Sequence, residues 1–194
     1  MPRPSSGSRE RILETTLILL REGGLSAAGL NEVIARSAAP KGSLYHYFPA
    51  GKSQLVAEAL ALYEPRIAAL IEQSLHNGHP LPRRINALFV QTAQRMQAAQ
   101  WRQSCAVGAV ALDLTSGDEA LRARCEAILR HWANVAEAGL PELPSAHAAP
   151  AARHLVALLE GAQIQARLRQ SVEPLTEAAA AFRAYAHGLL LAEA

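Results

Sequence analysis

Cysteine is scarce: Cys105 and Cys125 are the only two in 194 residues. They build no disulfide framework, which excludes the small secreted scaffolds and makes a reducing cytoplasm the expected compartment. No run approaches the roughly 20 apolar residues of a membrane-spanning helix, and residues 1–11 lack the apolar stretch of a signal peptide. No membrane partner is expected. Alternating β-branched runs are absent, so no strand is expected either. There is no internal repeat and no glycine-rich phosphate loop. Nor does a Ser/His/Asp or Cys/His set stand near a glycine elbow. His76 and His79 form H-x-x-H, but Gly78 and Pro80 lie among them and a third ligand is missing, which argues against a metal. Cys105 can be read as a redox sensor or, more plainly, as a buried and inert thiol. No catalytic residue, metal or cofactor is expected.

Half of the residues are hydrophobic, enough for a real core, and 19% are charged, too few for a disordered chain. The length allows one large domain, or a small one joined to a mid-sized one. The net charge of +2 says little, but it is unevenly spread. Residues 1–52 carry seven basic side chains against four acidic; the remainder carries twelve against thirteen. A basic first third on a near-neutral body fits an anionic partner.

Helix signals run through the whole chain. Residues 1–7 read as a frayed Pro/Ser/Gly-rich arm. A helix is expected from Ser8, with Ile12, Leu13, Thr16, Leu19 and Leu20 on one face and Gly23-Gly24 as its stop. Short helices follow at 31–36 and 41–47, the second introduced by Pro40 and stopped by Phe48-Pro49-Ala50-Gly51. Longer ones are expected at 52–73, kinked or broken by Pro65, then at 83–100, 107–114, 118–137 capped by Asp118, 151–171 and 174–190. The stretch 139–150 carries three prolines and reads as a linker or ordered loop. The expected fold class is all-α, with about nine helices.

The segment 30–52 is the most informative. A helix-turn-helix needs a first helix with one buried face, which Leu30, Val33 and Ile34 supply, and a tight turn, which Ala38-Ala39-Pro40 supplies. Its second helix must hold an apolar face inward, here Leu44 and Phe48, while the other face reaches the major groove. On that outer face Lys41 is a cation, and Gly42 lets a duplex approach the backbone. Ser43, Tyr45, His46 and Tyr47 offer hydrogen bonds to phosphates and base edges. Of two Trp, four Tyr and three Phe in the chain, three fall at positions 45, 47 and 48. Core tyrosines with wet tips are the alternative reading.

This pattern resembles the TetR family of repressors, whose signature has the form K-G-S-L-Y-x-x-F with a further Lys at the next helix start. Residues 41–48 and Lys52 match it, and Arg11-Ile12-Leu13, Gly24, Leu30 and Val33 match the first two helices. The segment 48–52, the run Ser104-Cys105-Ala106-Val107-Gly108-Ala109-Val110-Ala111-Leu112, Leu159-Glu160-Gly161-Ala162 and Glu173-Pro174-Leu175 are similar to the LmrA/YxaF-like branch. The resemblance implies a DNA-binding domain at 1–51 and a ligand-sensing, dimerising domain at 52–194. It puts Lys41, Gly42 and Ser43 at the groove, Tyr45, His46 and Tyr47 on phosphates or bases, and Lys52 on a phosphate. Ala28 replaces a phosphate-binding Thr common in the family, and Ala38 a turn Gly.

A seven-residue recognition helix spans about 10 Å and reads few base pairs, so two copies on a palindromic operator are expected. Leu155, Val156, Leu158, Leu159 and Ala162, with Ala178, Ala181, Phe182 and Tyr185, form apolar faces suited to a homodimer; packing within one monomer is the alternative. Phe89, Met96, Trp101, Cys105, His131 and Trp132 mark the expected pocket for a small, largely apolar effector, although each could simply fill the core. An all-helical enzyme or carrier with a vestigial N-terminal domain, and a non-specific DNA architectural protein, are the competing classes. The second is disfavoured because lysines are nearly absent.

Overall fold

The computed structural model describes residues 6–192; residues 1–5 of the expected N-terminal arm lie outside the described residues. Among the described residues there are nine α-helices and no strand, as expected of the all-α class. They are α1 (Ser6–Ala27), α2 (Leu30–Ser37), α3 (Lys41–Tyr47), α4 (Lys52–Leu75), α5 (Leu81–Ala98), α6 (Ala106–Leu112), α7 (Glu119–Ala138), α8 (Ser145–Arg169) and α9 (Glu173–Leu191). None is long and apolar enough to cross a membrane. The helices form two compact units, one of residues up to Pro65 with Cys105–Glu126, the other of Arg66–Ser104 with the chain from Ala127 onward.

In the first unit, Ile12 and Leu20 of α1, Leu44 of α3, Phe48, and Leu55 and Leu60 of α4 have no accessible surface. Thr16, expected on the same face of α1, is buried and returns its hydroxyl to the Ile12 carbonyl at 2.8 Å. That bond satisfies the hydroxyl without a second element. The Gly23-Gly24 stop takes the form of a kink: both residues leave helical geometry, and helical turns resume up to Ala27. Gly24 is required there. Its φ is +66°, and a Cβ on it would lie 2.5 Å from Asp113 Oδ2 and 2.9 Å from the Ala109 carbonyl. Asp113, just past α6, accepts the Ser26 N–H at 3.1 Å, so the kink is where α6 docks on α1.

Two prolines lie inside helices. Of the two outcomes expected at Pro65, a break is excluded: α4 runs from Lys52 to Leu75. The missing N–H deprives only the Ala61 carbonyl, and Ala61 and Pro65 both lie on the exposed face, where water serves instead. Likewise the expected linker ends early. Helix α8 starts at Ser145 behind Pro144 (φ −55°) and passes through Pro150, which releases the carbonyl of exposed Ala146. Asp118, expected to cap α7, immediately precedes it, and the bonds of its carboxylate go to Thr115 before the helix. It accepts the Thr115 N–H at 2.8 Å and hydroxyl at 2.6 Å, closing the turn there. These bonds, the hydroxyl first, hold the carboxyl below its ordinary range.

The second unit is built on α5, α8 and α9, with Ile85, Phe89, Leu155, Leu175 and Phe182 between them. Arg84, in the first turns of α5, is 5% exposed. Its Nη1 donates to the Leu75 carbonyl at 2.7 Å and the Gly139 carbonyl at 2.8 Å, and Nη2 donates to Glu142 Oε1. One guanidinium thus answers orphan carbonyls at the C-terminal ends of α4 and α7, where the helix dipoles are negative. The ends are close enough to require glycine at 139, where a Cβ would lie 2.5 Å from Leu75 Cβ.

Candidate nucleic-acid interface

The helix-turn-helix is assembled by α2, its turn and α3. Val33 of α2 is fully buried, while Leu30 and Ile34 are half-buried. The turn runs through Ala38 in the left-handed region (φ 51°, ψ 25°), so the position that resembles a family glycine keeps glycine geometry with a Cβ attached. Pro40, with φ −55°, leads into α3, and the Ser43 N–H closes its first turn on the Pro40 carbonyl at 2.8 Å. At the far end the Phe48 N–H bonds the Leu44 carbonyl at 2.8 Å, and Gly51, at φ 75°, reverses the chain into α4.

Seven residues make about two helical turns, so α3 presents two narrow faces. Leu44 and Phe48 point inward as expected. Lys41, Gly42, Tyr45 and His46 point outward, with Tyr45 51% exposed, and Tyr47 is half-buried at the edge. Ser43 is only 5% exposed and sits on the inner face beside Leu44, not with the outward residues. The reason is spacing: 41, 42, 45 and 46 share one side at i, i+4, and 43, 44, 47 and 48 the other. A Cβ at Gly42 would meet nothing within 4 Å, so no internal packing demands glycine there. The His46 ring lies edge-on to Tyr47, with centroids 5.2 Å apart.

Lys52, expected to reach a phosphate, is placed elsewhere. Its Nζ donates to the Leu25 carbonyl at 2.5 Å, tying the start of α4 to the kinked end of α1. Basic side chains of α1 and α2 are also engaged internally: Arg36 with Glu22 at 2.7 Å, and Arg9 with Glu58 at 2.5 Å. The bond to Glu22 raises the Arg36 pKa above its ordinary value. Lys41 is therefore the cation that the geometry leaves on the outer face of α3.

The expected effector residues are divided. Phe89, Met96 and Trp132 are buried in the second unit, and Trp101 is half-buried there at φ 60°. His131 is exposed: one residue from buried Trp132, a 100° helical step turns it to solvent. Cys105 is buried, but in the first unit. Cys125 is buried too, and burial pushes its thiol above the ordinary range. The expected dimer residues are corrected as well. Leu155, Leu159, Ala162, Ala178 and Phe182 are buried within the second unit by the packing of α5, α8 and α9. Leu158 is half-buried, and Tyr185, 37% exposed, lies 3.2 Å from His154 Nδ1. The apolar residues left outside are others, among them Ile164 at 50%, Leu168 at 80% and Leu191 at 63%.

Sequence reasoning missed Gln54, whose side chain meets the end of α3, and Glu58, which holds Gln54. The only signal was their i, i+4 spacing at the start of α4, which is common on any exposed helix.

Residues 12–59 match the N-terminal family described as bacterial regulatory proteins, tetR family, and residues 82–181 match the transcriptional regulator LmrA/YxaF-like C-terminal domain. An HTH-type transcriptional regulator of Mycobacterium tuberculosis is 33% identical over 87% of this chain and 89% of its own. The HTH-type transcriptional repressor NemR of Escherichia coli is 27% identical over 89% of this chain and 90% of its own. The structure of NemR in its reduced form superposes with a TM-score of 0.74 over 90% of this chain and 95% of that one, at 26% identity. CifR bound to a 26 bp operator duplex shares the fold, with a TM-score of 0.79 over 95% and 98% of the two chains at 22% identity.

Proposed function

The chain belongs to the TetR family of bacterial regulatory proteins, DNA-binding transcriptional regulators with an LmrA/YxaF-like C-terminal domain; from that premise we propose that it is a repressor released from a palindromic operator by a small, largely apolar effector. The observation that carries the DNA-binding half is the outer face of α3. Lys41, Gly42, Tyr45 and His46 stand exposed on a helix whose other side is anchored by fully buried Leu44 and Phe48. This is one cation, one site for close backbone approach and two ring hydrogen-bonders, a set suited to phosphates and base edges. The roles of NemR, a repressor, and of CifR, held on operator DNA, support the reading. In this account residues 1–51 bind DNA, residues 52–194 sense the effector and dimerise, and the protein works in the cytoplasm.

A helix about 10 Å long cannot alone reach the affinity of a specific regulator, so a second copy is needed. We assign the pairing surface to residues that the monomer leaves exposed, Ala157, Ile164 and Leu168 on α8 with half-buried Gly161 among them, and Ala184, Gly188 and Leu191 on α9. Both rows follow helical spacing. A Cβ on Gly161 or Gly188 would meet nothing within 4 Å, so their small size answers no internal need and suits close approach of a partner helix. The effector is assigned to the interior of the second unit, around Phe89, Met96, Trp101 and Trp132. Helix α4 belongs to both units and follows the recognition helix directly through the turn at 48–51, which makes it the proposed route from effector to DNA.

The test is duplex binding across a salt series. Wild type should select a palindromic duplex and lose affinity steeply as salt rises. Lys41→Ala and Tyr45→Phe should each weaken that binding by about 1–3 kcal/mol, and Lys41→Ala should flatten the salt slope by about one. Full affinity in both variants refutes the assignment of α3. An effector that binds tightly without changing operator affinity refutes the sensing half.

A further inference from the structure

We infer that Gln54, backed by Glu58 and Arg9, is a positioning residue for the recognition helix: it sets how well operator is told from other DNA without itself contacting the duplex. The inference rests on the DNA-binding reading above. Helix α3 has seven residues, too few to hold its own shape in water, so its direction must come from what grips its ends. At its C-terminal end, beside buried Phe48, the side-chain grip on the backbone is one amide. Gln54 Oε1 accepts the Ala50 N–H at 3.0 Å, and Gln54 Nε2 donates to the Tyr47 carbonyl at 3.4 Å. The last carbonyl of α3 and an amide of the following turn are thus both answered from α4.

Gln54 is itself held. Its Nε2 also donates to Glu58 Oε1 at 2.8 Å, and the other oxygen of Glu58 accepts Arg9 Nη2 from α1 at 2.5 Å. The Arg9 guanidinium in turn lies over the Phe48 ring, 5.9 Å from its centroid. The chain of contacts therefore begins and ends on the residues that close α3. Rotating the Gln54 amide would set its oxygen against the Tyr47 carbonyl and Glu58, so the network permits one orientation only. Arg9 and Glu58 are 46% and 29% exposed, where an ion pair adds little stability. What the pair supplies is direction. Tyr45 and His46 lie two residues and one residue before Tyr47, so a small swing of that end moves their ring tips, while Lys41 at the other end stays put.

The probes are a duplex selected by the wild-type protein from a random-sequence library and a mixed-sequence duplex, each titrated over a salt series. Gln54→Ala should lower the affinity ratio between the two duplexes by about fivefold or more, the equivalent of one lost hydrogen bond. Glu58→Gln, which frees Arg9 but keeps an acceptor for Gln54, should fall between Gln54→Ala and wild type. The salt slope should match wild type in both, because no phosphate contact is lost. An unchanged ratio overturns the inference. So does an equal loss on both duplexes, which is the mark of a merely structural residue, or a slope reduced by about one, which makes Gln54 a phosphate contact. If wild type selects no duplex at all, the DNA-binding reading fails, which is a separate result.

Discussion

Replacing Arg84 by methionine keeps most of the side-chain volume and removes the guanidinium from the second unit. Elsewhere, exchanging a buried ion pair for apolar residues is often neutral, because both desolvated charges disappear together. Here the exchange is lopsided. Two of the three acceptors are the Leu75 and Gly139 backbone carbonyls, which no substitution at position 84 removes. Each loses a charged donor, at about 1.5–3 kcal/mol apiece. Glu142, 43% exposed, returns to water at little cost. Against this stands Arg84 Nε, buried with no partner among the described residues; its removal recovers about 1–3 kcal/mol. Taken at mid-range, a loss of about 4.5 kcal/mol against a gain of about 2, the balance is a destabilisation of about 2.5 kcal/mol, or about 5–10 °C in Tm for a chain of this length. Urea unfolding followed by circular dichroism, with the thermal midpoint alongside, measures it. Arg84→Lys, one point charge without a fork, should fall between the two. An Arg84→Met variant as stable as wild type would refute the reasoning, since capping of the two helix ends would then contribute nothing.

Three further outcomes are expected. Ala38→Gly relieves a left-handed alanine in the helix-turn-helix and should raise stability by about 1 kcal/mol, seen as a higher thermal midpoint; a lower midpoint contradicts the turn geometry. Leu168→Glu or Ile164→Glu should turn a dimer into folded monomer in sedimentation, whereas a dimer intact in both variants removes α8 from the pairing surface. Asp118 has its folded-state pKa below the ordinary 3.8, chiefly through the Thr115 hydroxyl and then the Thr115 amide. Its contribution to closing the turn is therefore present above pH 3.8 and is lost as pH falls through the depressed value. Carboxyl NMR titration checks this. An Asp118 that titrates at its ordinary value, or Thr115→Ala leaving it unmoved, would contradict the cause given.

Much of the site was legible in the sequence. Helix α3 begins and ends where Pro40 and Phe48-Pro49-Ala50-Gly51 place it, because a fixed φ and a run of breakers are local properties of the chain. The split of α3 into Leu44 and Phe48 inward, Lys41 and Tyr45 outward, follows from helical period alone. The sequence is a poorer guide to proline at positions 65 and 150, for a related reason. A missing N–H is a local fact, but its cost depends on whether the carbonyl it abandons faces water, and that is settled by the fold.

The sequence by itself determined the helical class, the helix-turn-helix and the side of α3 offered outward, since turn chemistry and apolar period act over a few residues. Tertiary structure alone decided that Leu155, Leu159 and Phe182 serve the monomer's core rather than its surface, because burial inside a chain and burial between chains select the same residue types. It alone decided that Lys52 grips Leu25, that His131 faces solvent, and that Gln54 closes the recognition helix. Each of these depends on which distant backbone atom folding brings within reach of a side chain, and no periodicity along the chain encodes that.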